Sequence, residues 1–244
     1  MTRSRSTSRR WWAPATIGII AAAMIAVVLF SNNDPGDSSP TSVQSPATAE
    51  TEPAGEASDD GVRVDVERRD PDDPLAVGAL DAPVGLVMFS DFQCGFCALW
   101  SVQTLPEMLE FVEAGELRIE WRDISLFGEA SNRAALAAYA AGEQGEYLAF
   151  SRALFASGSA PDATALSDDG LETLAADLDL DVEKFNEDRT GEAAAAGVQA
   201  NIDEAAQLGA ASTPAFLVNG RPIMGAQPTE VFVSAISEEL RLNS

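Results

Sequence analysis

The hydrophobic and polar positions of the chain separate an N-terminal part from a body with regular periodicity. An uncharged apolar run occupies residues 13–30, and residues 31–60 mix proline, serine, threonine and acids without a period of 2 or 3.6. From residue 61 onward, alternating and helical patterns follow one another to the end of the chain. We therefore predict a disordered linker at residues 31–60 and one folded domain at residues 61–244.

Strand-like patterns occur early in this body and again near its end. Val62–Val66 alternates apolar and charged residues, which is typical of a half-exposed strand, and Leu117–Trp121 alternates again and predicts a further strand. Val84–Phe89 is continuously apolar, as expected of a central strand buried on both faces. Ala215–Val218 precedes an Asn-Gly dipeptide and a second short apolar run, which predicts a tight hairpin.

Helical periodicity dominates the rest of the body. Residues 94–114 keep apolar positions at helical spacing, and we expect Pro106 to kink this helix and Gly115 to end it. Ala- and Leu-rich helical segments follow at residues 129–141, 145–155, 171–178, 182–188 and 192–208. A last amphipathic helix is predicted at 229–240. The order of elements predicts an α/β fold, a mixed sheet flanked by helices, with an all-helical insertion at about 126–209.

The N-terminal part has the pattern of a membrane anchor. Residues 1–12 are basic, and the uncharged run from Ala13 to Phe30 would span about 27 Å as a helix, close to the thickness of a bilayer core. With Trp11 and Trp12 at the interface and the arginines inside, the body would lie outside the cytoplasm. Cleavage of residues 13–30 as part of a signal peptide, which would release a secreted protein, is the alternative.

Charge and composition exclude several function classes. The 244-residue chain has 39 acidic and 15 basic residues, and four of the basic ones precede the apolar run. So acidic a body is a poor candidate for binding nucleic acid or an anionic lipid surface. The chain contains no histidine, which excludes histidine general bases and histidine metal ligands.

The candidate chemistry lies in residues 90–97, Ser-Asp-Phe-Gln-Cys-Gly-Phe-Cys, which contain the two cysteines of the chain. At a helix N-terminus, unpaired backbone N–H groups and the helix dipole favour the thiolate of Cys94. Cys97, one turn inside the helix, would be shielded. The pattern predicts a redox pair in which Cys94 attacks and Cys97 resolves, placed in a compartment where disulfides persist.

Two other interpretations of the cysteine pair are weaker. A zinc site needs about four ligands, and the chain offers two thiolates and no histidine. An inert structural disulfide would close so small a loop that it would add little stability.

A second element bears on the same site. Thr213-Pro214 directly precedes a predicted strand, and proline is confined to strand starts because it has no N–H to donate. A cis bond in a loop that faces the cysteines is the other interpretation, and local sequence alone does not decide between them.

Three motifs together resemble the DsbA-like thiol-disulfide oxidoreductases of the thioredoxin fold. They are residues 90–97, residues 142–145 (Gly-Glu-Gln-Gly) and residues 213–220 (Thr-Pro-Ala-Phe-Leu-Val-Asn-Gly). The resemblance covers about residues 62–241, and the Arg-, Ala- and acid-rich, lysine-poor composition is similar to membrane-anchored actinobacterial members. It implies a thioredoxin-like fold interrupted by a helical insertion, which agrees with the predicted order of elements.

The resemblance also implies roles for individual residues. Cys94 would be the nucleophile and Cys97 the resolving thiol, with no metal and no cofactor besides their disulfide. Pro214 would be cis, and Thr213 would present its backbone to an extended substrate peptide by strand addition.

Two departures from the family pattern bear on how strong an oxidant the cysteine pair is. Relatives often carry a buried acid six residues before the first cysteine, which is thought to assist proton transfer to the buried thiol, and this chain has Met88 there. The dipeptide Gly95-Phe96, which we assign with Thr213 and Pro214 to substrate binding, is neither the Pro-His of the strongest oxidants nor the Gly-Pro of thioredoxins. We therefore expect a moderate oxidant.

The predicted function is that of a single-pass membrane protein whose extracytoplasmic domain oxidises cysteine pairs in secreted or cell-envelope proteins. The resemblance implies re-oxidation by a quinone-linked membrane partner, either DsbB-like or related to vitamin K epoxide reductase. A disulfide reductase or isomerase, and a non-catalytic thioredoxin-fold module that binds peptides, are the alternatives. The two intact cysteines argue against the non-catalytic module.

Overall fold

The structure, a computed structural model, describes residues 63–243. The strands are β1 (Ala76–Val77), β2 (Val84–Ser90), β3 (Leu117–Asp123), β4 (Ala215–Val218) and β5 (Arg221–Met224). The helices are α1 (Gly95–Gln103), α2 (Leu105–Glu113), α3 (Glu129–Gly142), α4 (Tyr147–Leu154), α5 (Asp168–Asp177), α6 (Val182–Arg189), α7 (Glu192–Leu208) and α8 (Thr229–Leu242). The predicted apolar helix at 13–30 and the linker at 31–60 lie outside the described residues. None of the helices within 63–243 is both long and apolar enough to cross a membrane.

The strands form one mixed sheet in the order β1-β3-β2-β4-β5. The continuously apolar β2 lies at its centre and is buried throughout, as its sequence predicts. It pairs in parallel with β3 and antiparallel with β4. The β4–β5 hairpin closes at Asn219 (φ 44°) and Gly220 (φ 81°), and two successive residues with positive φ are what a type I′ turn requires.

Side chains from alternate positions of β2 build a core on each face of the sheet. Met88 and Cys97 of α1 both belong to the larger core, whereas Phe89 belongs to a smaller cluster that includes Ala205 of α7. On the larger face three aromatic rings, those of Trp100, Phe216 and Phe232, pack with centroids 4.8–5.8 Å apart. This cluster joins α1 to β4 and α8 and fixes the distance between α1 and the sheet.

The helical block between the two halves of the sheet is confirmed, and α3–α7 fall close to the predicted segments. Its central helix, α3, is rich in alanines that are fully buried, among them Ala134, Ala137 and Ala138. Small side chains let neighbouring helices approach closely, and α3 is in contact with α4, α6 and α7.

Two predictions of local structure are corrected. In place of a strand, residues 63–66 follow an irregular path and meet the sheet through one backbone hydrogen bond, from Val64 N to Gly220 O (3.0 Å). The alternation is real, because Val64 and Val66 are half-buried. Val64 lies against the β4–β5 turn and Val66 packs against the smaller core, and such packing gives the same pattern as pairing with a strand. The helix of residues 94–114 is divided into α1 and α2 at Thr104, because Pro106 has no N–H to continue the ladder.

Candidate active site

The two cysteines lie where the central strand β2 gives way to helix α1. Cys94 is the N-cap residue, with extended backbone (φ −87°, ψ 112°), and its carbonyl accepts from the N–H groups of Cys97 (3.1 Å) and Ala98 (3.2 Å). Cys94 is 5% exposed and Cys97 is fully buried, and both are free thiols. The Cys94 sulfur therefore lies at the end of the helix where backbone N–H groups are unpaired.

The carboxylate of Asp91 holds the turn before the helix. It accepts from the N–H of Gln93 (2.8 Å) and from the hydroxyl of Ser131 on α3 (2.6 Å), and its carbonyl accepts from the N–H of Cys94 (2.9 Å). The side chain of Gln93 also donates to Ser131 (2.8 Å). These bonds fix the Cys94 backbone to the helical insertion as well as to β2.

The loop before β4 meets the cysteines from the other side. The Thr213–Pro214 peptide bond is cis, as the resemblance implies. The thiol of Cys94 donates to the carbonyl of Thr213 at 3.2 Å, across 119 residues of sequence. Pro214 is buried at the start of β4, and its carbonyl accepts from the N–H of Gly225 (2.9 Å).

The environment of Cys94 favours its thiolate. The hydrogen bond from the Cys97 thiol is the largest influence, and burial acts against it. Thr213 and the backbone N–H groups of Cys97 and Phe96 add to the effect, and the pKa of Cys94 falls from 9.0 to about 6. At neutral pH, Cys94 is therefore mostly ionised and ready to act as a nucleophile or leaving group.

Cys97 has the opposite character. Burial is the main influence, and the hydrogen bond it gives to Cys94 and the charge of the Cys94 thiolate act in the same direction, so the pKa of Cys97 lies far above its ordinary value. The Asp91 N–H and the Ser90 hydroxyl oppose this shift by interacting with the Cys97 sulfur. The pair thus consists of an ionised thiolate beside a protonated, buried thiol.

A buried carboxyl group, Asp123, ends the neighbouring strand β3. One carboxyl oxygen accepts from the hydroxyl of Tyr147 (2.9 Å), while the other has no hydrogen-bond partner. Burial, opposed by the Tyr147 hydrogen bond and reinforced by repulsion from Asp91, raises the pKa of Asp123 to about 7. Asp123 therefore changes its protonation state near neutral pH.

Comparison with known proteins settles the family. The family model described as thioredoxin matches residues 70–238, more than two thirds of the chain. The chain belongs to the thioredoxin family. A probable disulfide bond formation protein D of Bacillus anthracis is a curated relative of this thioredoxin-family chain, 25% identical over 171 residues, which cover 68% of this chain and 78% of that protein.

A second curated relative is much longer than the thioredoxin domain. The Na(+)/H(+) antiporter NhaA 3 of Salinispora tropica is 31% identical over 170 residues, which cover 68% of this chain but 25% of the antiporter. The chain thus spans about a quarter of the length of that relative.

Solved structures agree with the thioredoxin assignment. A thioredoxin-like oxidoreductase from Silicibacter pomeroyi matches with 29% identity and a TM-score of 0.59, covering 70% of this chain and 94% of that one. BdbD from Bacillus subtilis (23% identity, TM-score 0.63, 68% and 92% coverage) and alpha-DsbA2 from Wolbachia pipientis (22% identity, TM-score 0.58, 67% and 85% coverage) share the fold. The resemblance to DsbA-like proteins is confirmed.

The predicted site residues of this thioredoxin-family protein come together at one end of the sheet. Thr213 contacts Cys94, and Phe96 projects from the start of α1 with 65% of its surface exposed. A side chain at Gly95 would meet no other atom within 4 Å, so the approach to Cys94 on that side is open. Within residues 63–243, no cluster of acidic or cysteine side chains is arranged to hold a metal ion.

Sequence reasoning missed Ser131 and Asp123. Ser131 is 40 residues from Asp91 and carries no motif of its own. Asp123 did leave a signal, because Ile119, Trp121 and Asp123 occupy alternate positions of β3 and the first two face the larger core. Extending the period of 2 by one step puts the carboxyl group on that buried face.

Proposed function

We propose that the protein is an extracytoplasmic thiol-disulfide oxidoreductase that oxidises cysteine pairs in secreted or cell-envelope proteins. One observation carries the proposal: a thiolate-forming Cys94 at a helix N-terminus lies beside a buried thiol of high pKa, Cys97. This asymmetry defines which sulfur is attacked and which one resolves. The pair needs no other cofactor.

Oxidation of a substrate follows from this asymmetry. A substrate thiolate attacks the Cys94 sulfur of the disulfide, the S–S bond breaks, and Cys97 leaves and takes up a proton. A second substrate thiolate then attacks the substrate sulfur of the mixed disulfide. Cys94 leaves readily because its thiolate is stabilised, and the two electrons from the substrate thiols stay in the Cys94–Cys97 dithiol.

Substrate would bind beside Cys94, along Thr213 and across Phe96. Thr213 lies just before β4, so its backbone is free of the ladder that β2 and β5 form with that strand. Strand addition at this position would bring a cysteine of an extended peptide to the Cys94 sulfur. The exposed ring of Phe96 supplies apolar contact, and Gly95 leaves room for the peptide.

The proposed setting is the outer face of the cell membrane. The apolar run at residues 13–30, flanked by arginines, supports an anchor, and residues 31–60 would act as a tether. Release as a secreted protein is the alternative. A disulfide that oxidises substrates is left as a dithiol and must be re-oxidised, and we propose a quinone-linked membrane partner of the DsbB or vitamin K epoxide reductase type.

Substrate oxidation and mixed-disulfide trapping together test the proposal. Full-length protein in its disulfide form should restore activity to a reduced, unfolded enzyme that needs its disulfides. Cys94→Ser should abolish this oxidation and leave the fold intact, whereas Cys97→Ala should accumulate mixed disulfides at Cys94. Undiminished function of Cys94→Ser in cells would refute the redox proposal in favour of a peptide-binding module.

A further inference from the structure

The Cys97 thiol must gain and lose a proton in every catalytic cycle, yet it is fully buried. Where relatives place an acid for this purpose, Met88 has no titratable group, and the chain contains no histidine. The groups that interact with the Cys97 sulfur, besides Cys94, are the Asp91 N–H and the Ser90 hydroxyl. Of these two, only a hydroxyl can both accept and donate a proton.

The carboxyl group of Asp123 is on the strand next to Ser90. Ser90 and Asp123 are the last residues of β2 and β3, and they are direct partners in the parallel register. Both lie on the face of the sheet that carries Met88 and Trp121, two positions earlier on each strand, and this face also packs against Cys97. Neighbouring strands are about 4.8 Å apart, so the Ser90 and Asp123 side chains lie side by side.

Asp123 has a feature that a purely structural carboxyl group lacks. Its side chain is fully buried, and one oxygen makes no hydrogen bond while the other accepts from Tyr147. An unpartnered buried oxygen costs stability, so its presence in a folded protein calls for an explanation, and a role in proton transfer is one. No hydrogen bond joins this oxygen to Ser90 in the dithiol form described here, so it is free to receive a proton from the neighbouring hydroxyl.

We propose that Asp123 exchanges the proton of Cys97 through the Ser90 hydroxyl and so replaces the acid that is missing at position 88. The inference rests on the proposed function, since it concerns the resolving thiol of that reaction. Asp123 does not touch the reacting sulfurs. It acts through Ser90, as a positioning residue that holds the proton near Cys97.

The proton balances in both directions. When substrate attacks Cys94, the S–S bond breaks, Cys97 leaves as a thiolate, Ser90 donates its proton to that sulfur, and Asp123–COOH restores the serine hydroxyl. On re-oxidation, Asp123–COO⁻ takes the proton back through Ser90. The Cys97 thiolate then attacks the Cys94 sulfur and expels the partner's thiolate. No electrons pass through Asp123 or Ser90.

The charges around Asp123 suit this exchange. Asp91 faces it from the β2–α1 loop and disfavours its ionisation, whereas the Tyr147 hydroxyl on α4 favours it. From α7, the Asn201 amide donates to the Asp123 backbone carbonyl (3.4 Å). Arg122, the adjacent cation, points to the opposite face of β3, where Glu120 and Glu204 bind it. With its pKa raised to about 7, Asp123 populates both protonation states at neutral pH.

Rapid-mixing kinetics with oxidised glutathione separate the two thiols. The Cys94 thiolate first forms a mixed disulfide with glutathione, and Cys97 then displaces glutathione in a unimolecular step. For the full-length protein, Asp123→Asn should slow the second step about a hundredfold at pH 7 and remove its inflection near neutral pH. The first step should be unchanged. The matched control, Asp177→Asn, removes an exposed carboxyl group and should behave as wild type.

Tyr147→Phe gives a second readout that a structural role would not produce. Because the Tyr147 hydrogen bond lowers the pKa of Asp123, its loss should move the inflection of the second step to higher pH without abolishing it. If Asp123→Asn does not fold, this shift alone decides the matter. A second step with the rate and inflection of wild type in Asp123→Asn, or an unmoved inflection in Tyr147→Phe, would overturn the relay. A wild type that reacts with glutathione but oxidises no protein would refute only the proposed function.

Discussion

Cys97 controls the acidity of Cys94, and this can be tested with two substitutions at one position. The hydrogen bond from the Cys97 thiol is the largest influence that lowers the pKa of Cys94. Cys97→Ala removes the donor, whereas Cys97→Ser keeps a hydroxyl donor in the same place. Neither change disturbs the backbone N–H groups or Thr213, which continue to favour the thiolate.

The size of the effect follows from the pKa. With a pKa of about 6, Cys94 is about 90% thiolate at pH 7. In Cys97→Ala the pKa should rise toward the ordinary 9.0, and the thiolate fraction at pH 7 should fall to about 10% or less. In Cys97→Ser more than about half of Cys94 should remain ionised at that pH, because the donor is retained.

Thiolate absorbance in the ultraviolet, recorded across pH, measures this fraction directly. Alkylation rates at one pH are a poorer measure, because a thiolate of higher pKa is also a stronger nucleophile and partly compensates for its scarcity. Coinciding titration curves for the alanine and serine variants, or a Cys97→Ala variant that still titrates near pH 6, would refute this account of the Cys94 thiolate.

Three further predictions concern the substrate surface and two buried carboxyl groups. Phe96→Ser should raise KM for protein substrates, because it removes the exposed ring that is proposed to contact the peptide. The reaction with glutathione, which is too small to need that contact, should be unchanged, and steady-state kinetics with both substrates check this. Glu120 is buried, but hydrogen bonds from Arg68 N, Arg69 N and Arg122 outweigh burial and lower its pKa to about 2. Stability from Glu120 is therefore present above its unfolded pKa of 4.5 and lost as pH falls toward 2, and Glu120→Gln should cost about 3 kcal/mol at pH 7 in denaturant unfolding. Burial raises the pKa of Asp123 from 3.8 to about 7, so its contribution to stability is full below its unfolded pKa of 3.8 and is lost as pH rises through 7. The free energy of unfolding of Asp123→Asn should therefore gain about 4 kcal/mol relative to wild type between pH 4 and pH 8. A difference between the two proteins that does not change across that range would contradict the raised pKa.

Local patterns were sufficient for most of the fold. The continuous apolar run of β2, the Asn-Gly turn between β4 and β5, and the five helical segments of the insertion all depend on neighbours within a few residues, and the structure confirms them. Residues 63–66 do not form the strand predicted at 62–66, because alternation indicates which side of a segment is buried and not what buries it. Here the β4–β5 turn lies against Val64 and the smaller core covers Val66. The N–H groups of Arg68 and Arg69 that follow bind the Glu120 carboxylate.

Sequence alone predicted only those site residues that belong to a recognisable motif. Cys94 and Cys97 share a motif, and the resemblance added Thr213 and Pro214. Most groups that set the acidity of the thiols are near them in sequence: Cys97 and Phe96 act on Cys94, and Ser90 and Asp91 act on Cys97. Thr213, by contrast, reaches Cys94 from a distant segment, and no local period encodes that contact. The acid absent at Met88 was visible in the sequence, whereas the carboxyl group that we propose in its place depends on strand register.

The equilibrium redox potential of the Cys94–Cys97 pair in glutathione buffers tests the central claim most directly. The pKa of Cys94, about 6, lies between the values of about 7 for thioredoxin and about 3.5 for DsbA. Because a stabilised thiolate makes the disulfide a stronger oxidant, the potential should lie between about −270 mV, that of thioredoxin, and about −120 mV, that of DsbA. A potential as low as that of thioredoxin would contradict the oxidase and identify the protein as a reductase.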